Sequence, residues 1–276
     1  MPLAKPPPAR HPLPMLPHHG ILLAVLVVLV GASAVGMALH GRPGERQSRE
    51  TVDHIRLVIS ILVTFTALVL GLLLSSAKGS YDAFDNRLRA LAGSITELDQ
   101  RLRQYGDETA PIRANLRAYL AGAIADTWRD EPRPYGVYPI YSAEGVERAP
   151  LGNLLIEIDT AIRKLEPADP FHAGLANLLE AKSTELLGQR RLAIETVHET
   201  ISIPLLAAMT AWLAVVFGVF GLTAPRNADV YTTIILCALS FASAIFFILD
   251  FDKPLTGIIP VSSEPAREAL RHLDTP

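Results

Sequence analysis

The 276 residues carry hydrophobic side chains at 50% and charged ones at only 19%, a balance that excludes an ordinary soluble domain of this size and indicates a membrane protein. The formal net charge is -3, and with no long block of like charges neither a basic nucleic-acid tail nor an acidic arm is present, so nucleic acid is not an expected partner. The single cysteine, Cys237, lies in an apolar run; it reads as a small apolar helix residue and leaves no disulfide framework or thiolate metal site.

Residues 1–20 form a proline-rich tail that includes His18 and His19, read as solvent-exposed histidines. A hydrocarbon core of about 30 Å needs roughly 20 apolar helical residues. Four stretches qualify: Ile21 to Leu39, Leu57 to Ala77, Leu205 to Ala224 and Val230 to Leu249. Residues 21–77 thus hold the first two spans and 204–249 the last two. Ala32, Ser33 and Ala34 resemble a signal-peptide cleavage site, but the run around them exceeds the usual apolar core of such peptides, so a retained anchor is expected. Small residues recur four apart, as Ala67, Gly71 and Ser75, as Ala214 and Gly218, and as Ala238 and Ala242. Such rows let backbones approach in lipid and are expected at helix contacts. Arginine density in the short connections, with Arg42, Arg46, Arg49, Arg56 and Arg226, places them in the cytoplasm; total Lys and Arg on the other side argues the reverse. Two orientations therefore stand.

Residues 78–203 read as an extramembrane helical bundle. Tyr81, Phe84, Leu88, Leu91, Ile95, Leu98, Leu102 and Tyr105 alternate at spacings of three and four, so the second span should leave the membrane as one long helix with an apolar seam. Gly106 supplies a stop, Asp107 and Thr109 are N-cap candidates, and Pro111 suits a first turn. A second amphipathic helix follows with Ile112, Leu116, Tyr119, Ala123 and Thr127, and Leu120, Ile124 and Trp128 beside them, antiparallel to the first. Proline then breaks helix over 129–150, giving a surface loop whose tyrosines Tyr135, Tyr138 and Tyr141 should pack down. Leu151, Leu155, Ile158, Ile162 and Leu165 mark a third helix, and Leu175, Leu178 and Leu186 a fourth that runs toward a kink at Pro204.

The tail, residues 250–276, should pack on the bundle. Asp250, Asp252 and Lys253 end the last span at the water interface, where Lys253 can snorkel and Pro254 stops the helix. Gly257 allows a turn that aims Ile258, Ile259 and Val261 back at protein, and Ser262 or Ser263 can cap a short final helix. Asp250 and Asp252 either line a vestibule or pair with a basic side chain of the bundle.

No GxSxG, HExxH, Walker loop or GxGxxG is present. His172 and His198 stand alone, and Asp126 and Asp130 sit among Arg129 and Arg133 as a solvated charge pattern. An enzyme is not expected, and no cofactor or metal site is read. Ionisable groups touch the spans only at the edges, as His40, Arg56 and Asp250, which speaks against a proton relay. The second span carries hydroxyls instead, Ser60, Thr64, Thr66, Ser75 and Ser76, a neutral lining that suits a passive pore better than a pump.

The stretches TALVLGLLLSSAKGSYDA, LTAPRNADV and LDFDKPLTGIIPVSSEPAREAL resemble the bestrophin-like domain-of-unknown-function family of bacterial membrane proteins over roughly residues 50–275. The resemblance implies an all-α protein with four transmembrane helices, in the bacterial inner membrane. By analogy with the bestrophins, pentameric anion channels with a pore lined mainly by the second span, it implies a homo-oligomer in a lipid bilayer that passes inorganic ions. No bestrophin pore or calcium-clasp motif transfers residue by residue. On this reading Ser60, Thr64, Phe65, Ala67 and Gly71 are the candidate lining, and Asp250, Asp252 and Lys253 a candidate vestibule or structural tail. The alternative is a non-conducting membrane scaffold or sensor whose bundle binds a protein partner.

Overall fold

A computed structural model describes residues 18–40, 49–138, 149–196, 203–225 and 227–275. Most of the proline-rich tail, Arg42, Arg46, Tyr141, His198 and Arg226 lie outside these residues, as do the side chains of His18, His19, His40, Arg49, Arg56 and of Pro204, where the kink was expected. The described helices are α1 (His18–His40), α2 (Arg49–Tyr105), α3 (Ala110–Thr127), α4 (Ala149–Arg163), α5 (Pro170–Thr196), α6 (Ile203–Thr223), α7 (Ala228–Phe251) and α8 (Glu264–Asp274), with a 3-10 turn at Asp107–Thr109. No strand occurs among the described residues. The chain divides into two compact units, Met1–Ser76 with Ile201–Asp250, and Ala77–Thr200 with Phe251–Pro276.

The first unit contains α1, the amino-terminal part of α2, α6 and nearly all of α7. Among the described residues four helical stretches are long and apolar enough to cross a membrane, Gly20–Leu39, Leu57–Tyr105, Leu205–Thr223 and Ala228–Phe251. Glycine sets how α1 meets α6. A Cβ on Gly36 would lie 1.9 Å from the Gly218 carbonyl oxygen, and one on Gly221 would lie 2.0 Å from that of Ser33. Hydrogen in place of a side chain is thus what lets the two backbones touch. Of the rows read as contacts, Ala238 and Ala242 are fully buried and Gly218 faces α1. Ala67, Gly71 and Ser75 instead lie on the exposed side of α2, and a Cβ on Gly71 would meet nothing within 4 Å.

In the second unit the carboxyl-terminal part of α2 packs with α3, α4, α5 and α8 around one apolar core. Leu98, Leu102, Leu116, Ile158, Leu179 and Leu186 are among its fully buried members. On α5 both Leu179 and Leu186 are fully buried, whereas Leu178 is only partly so. Gly106 ends α2 at φ 123, a left-handed conformation that glycine adopts without Cβ strain. Thr109 stands at the N-cap of α3 but makes no side-chain cap bond. Its hydroxyl reaches back to the carbonyl oxygens of Leu102 at 2.6 Å and Gly106 at 2.8 Å, satisfying the end of α2 rather than the start of α3. Asp99, its side chain 3% exposed, ties the two helices by accepting from Arg103 at 2.7 Å and Arg113 at 2.8 Å.

The tail docks by named polar contacts. Trp128 Nε1 donates to the buried Val261 carbonyl at 2.8 Å, Arg103 donates to the His272 carbonyl at 2.8 Å, and Arg117 pairs with Asp274. Glu131 accepts from Arg267 at 2.9 Å and from the Ser263 hydroxyl. Ser263 occupies the N-cap of α8 but spends its hydroxyl there, and Ser262 Oγ takes the Glu264 N–H at 3.2 Å. Val261 is buried as expected, but Ile258 and Ile259 are exposed within their unit. The turn at Lys253, closed by Gly257 N–H at 2.9 Å and Thr256 N–H at 3.2 Å, commits only one of the three side chains to the core. In the loop after α3, Tyr138 packs and donates to the Pro134 carbonyl at 2.9 Å, whereas Tyr135 is 91% exposed.

Candidate functional site on the second helix

At about 100° per residue, the first-unit part of α2 divides into three longitudinal strips. Ile59, Thr66 and Leu70 are buried against the rest of the unit. Ser60, Thr64, Ala67, Gly71 and Ser75 fall together within about 80° on the exposed surface and contain no charged side chain. Beside them lies a bulky apolar strip of Leu57, Ile61, Leu68 and Leu72, all exposed in the single chain.

The hydroxyls have a defined orientation. Thr64 Oγ1 donates to the Ser60 carbonyl at 2.8 Å, and Thr66 Oγ1 to the Leu62 carbonyl at 2.7 Å. With its proton held by the helix, the exposed Thr64 oxygen presents lone pairs outward. Phe65 is separated from the small, hydroxyl-bearing strip: its ring packs on Trp212 of α6 at 5.3 Å between centroids and 55° between planes. Four of the five lining candidates therefore share a face, and Phe65 does not share it.

Asp250 lies at the end of α7. It is 1% exposed, while Asp252 and Lys253 are half-buried in the second unit. Phe251 packs on Tyr81 at 5.4 Å, and Lys78 Nζ lies 5.2 Å from the Tyr81 ring and 5.8 Å from the Phe251 ring. Cations over aromatic faces are held by the ring quadrupole.

His172 does not stand alone. Its Nδ1 lies 2.7 Å from Asp169 Oδ2, its backbone N–H donates to Asp169 Oδ1 at 2.9 Å, and its ring meets Tyr105 edge-on at 5.2 Å. The backbone bond, followed by the side-chain bond, holds the Asp169 carboxyl below its ordinary value. Burial alone would raise the Asp159 pKa; hydrogen bonds from Arg163 and Ser183 outweigh it and hold the value down. Burial pushes the Tyr119 phenol up, against the opposing charge of Arg190. These are ion pairs and caps that brace helices. Among the described residues, no group of three His, Cys, Asp or Glu is disposed to hold a metal ion. The local signal missed in the sequence was the Asp169-Pro170-Phe171-His172 order, which sets a helix-starting carboxylate three residues before an imidazole.

The bestrophin-like domain profile matches residues 25–266. This chain belongs to the bestrophin-like family. The bestrophin-like fold is shared with solved structures. A variant of a bacterial bestrophin homologue from Klebsiella pneumoniae, carrying a tyrosine-to-alanine substitution, aligns with a TM-score of 0.64 at 15% identity, over 91% of this chain and 97% of that one. A second variant of that homologue, with isoleucine changed to threonine, gives 0.62 at 16% identity over 91% and 98%. A crystal structure described as a membrane protein gives 0.63 at 15% identity over 91% and 97%. No curated protein matches the sequence. The bestrophin-like protein is accordingly an all-helical membrane protein with several apolar helices.

Proposed function

We propose that this protein is an oligomeric passive ion channel of the bacterial inner membrane. In this reading α1, the amino-terminal part of α2, α6 and α7 cross the bilayer, and copies surround an axis with α2 innermost. One observation carries it: the uncharged strip of Ser60, Thr64, Ala67, Gly71 and Ser75 lies on the exposed face of α2, next to a strip of leucine and isoleucine. Lipid favours the bulky apolar strip, whereas small and hydroxyl-bearing side chains leave width and lone pairs for a partly hydrated ion. Neighbouring copies supply the remaining walls, since α6 and α7 border the side of α2 that carries Val63 and Thr66. Family membership supports the same reading by analogy, with anions as the ion class to try first.

Liposome flux of the purified full-length protein tests the proposal, with chloride, nitrate, sodium and potassium gradients run in parallel. The expected result is dissipation of at least one gradient without an energy source, lost in Gly71→Trp. No flux of any of the four ions from an oligomer of verified mass would overturn it in favour of a non-conducting scaffold.

A further inference from the structure

The first unit also has an open pocket of about 500 Å³ between α2, α6 and α7, within the size of small-molecule sites, about 300–1,000 Å³. Its body is apolar, with Phe217, Phe220 and Phe241 among the lining, and its polar groups are Thr66, Thr223, Thr233 and Asp229. Those groups share a property that defines the ligand. Thr66 Oγ1 donates to the Leu62 carbonyl at 2.7 Å, Thr223 Oγ1 to that of Val219 at 3.1 Å, and Thr233 Oγ1 to that of Asp229 at 2.8 Å. With the hydroxyl protons committed to their own helices, the threonine oxygens offer acceptors. The Asp229 side chain is exposed and makes no hydrogen bond or ion pair to any other described residue. The described lining fits an occupant that brings a positive charge and donors, together with hydrocarbon for the phenylalanines.

We propose that this cavity binds a single-chain amphiphile with an ammonium head, the head at Asp229 and the alkyl chain among Phe217, Phe220 and Phe241. An anionic or carbonyl-rich ligand would meet only oxygens of like polarity. The site is separate from the small, hydroxyl-bearing strip of α2, so it stands whether or not that strip conducts. Cys237, the only cysteine, is exposed and lines the same cavity, which supplies a reporter.

The test uses the full chain in phosphatidylglycerol nanodiscs and follows alkylation of Cys237 by N-ethylmaleimide while dodecylammonium, dodecyltrimethylammonium, dodecyl sulfate or ammonium chloride is added. Saturable slowing by at least tenfold with the two alkylammonium ions, and none with dodecyl sulfate or ammonium chloride, is expected. Asp229→Asn should raise the half-protecting concentration about tenfold, a factor typical of losing one charge-assisted contact, with Asp229→Glu restoring it. Protection by added phosphatidylethanolamine as well would support the site and identify a membrane lipid as the source of the ammonium. Thr233→Trp, which fills the mouth from an exposed position, should abolish one-to-one dodecylammonium retention in native mass spectrometry. Equal protection by sulfate, no protection by any amphiphile, indifference to Asp229→Asn, or a Cys237 that reacts only after the oligomer is dissociated would each overturn the proposal. The last would assign the cavity to a second copy of the chain.

Discussion

Replacing Gly36 by alanine puts a methyl group where the α1 and α6 backbones touch. Its Cβ would lie 1.9 Å from the Gly218 carbonyl oxygen, whereas ordinary contact begins at 3.4 Å. The obstacle is backbone, so the helices must part by about 1.5 Å, and dispersion falls by a quarter to a half for a gap of only about 0.5–1 Å. Overpacking of this kind costs about 1–3 kcal/mol. Gly31→Ala on the same helix is the control, since its Cβ would meet nothing within 4 Å and the change should stay within about 0.5 kcal/mol. Gly221→Ala should repeat the Gly36 effect, because its Cβ would sit 2.0 Å from the Ser33 carbonyl oxygen. Reversible unfolding of the full-length protein in mixed micelles reads all three. Equal stability of Gly36→Ala and Gly31→Ala would refute the close α1–α6 approach.

Asp99→Ala leaves Arg103 and Arg113 without their shared carboxylate; because both guanidiniums are partly exposed, a loss of about 2 kcal/mol is expected rather than the full cost of a buried broken pair, measured by thermal unfolding. Trp128→Phe keeps the ring but strands the buried Val261 carbonyl, costing about 1–3 kcal/mol and speeding protease release of residues 262–276. Asp159 has a native pKa below its ordinary value of 3.8, so its contribution is fully present above that value and is lost as pH falls through the lowered one. Asp159→Asn should therefore flatten the acid limb of a Tm-against-pH curve, and an unchanged limb would dismiss that carboxylate as a source of stability.

Much of the helical order was legible because side-chain polarity changes along α2 while the helical spacing of its apolar residues continues. Leu98, Leu102 and Tyr105 continue by threes and fours beyond the apolar span, and one helix from Arg49 to Tyr105 results. Residue spacing says less about which partner a face meets. The row Ala67, Gly71, Ser75 and the pair Ala238, Ala242 have the same small-residue signature, yet the first is exposed and the second fully buried. Partner choice depends on distant chain, here on Gly36, which sat in a run read mainly against a cleavage site. The same limit applies to Phe65: its spacing sets it near the hydroxyls in sequence, but Trp212 of α6 holds it on another side. Thr109 was recognised as a capping residue, but its hydroxyl satisfies the end of α2 rather than the start of α3.

Thiol accessibility at Thr64 tests most directly whether the uncharged face of α2 borders an aqueous path. In a Cys237→Ser background, Thr64→Cys should react with membrane-impermeant charged methanethiosulfonates and the reaction should reduce liposome flux, while Leu68→Cys on the neighbouring apolar strip should react only with permeant maleimides. Reaction of Thr64→Cys solely with lipid-soluble reagents, or full modification with undiminished flux, would contradict the account.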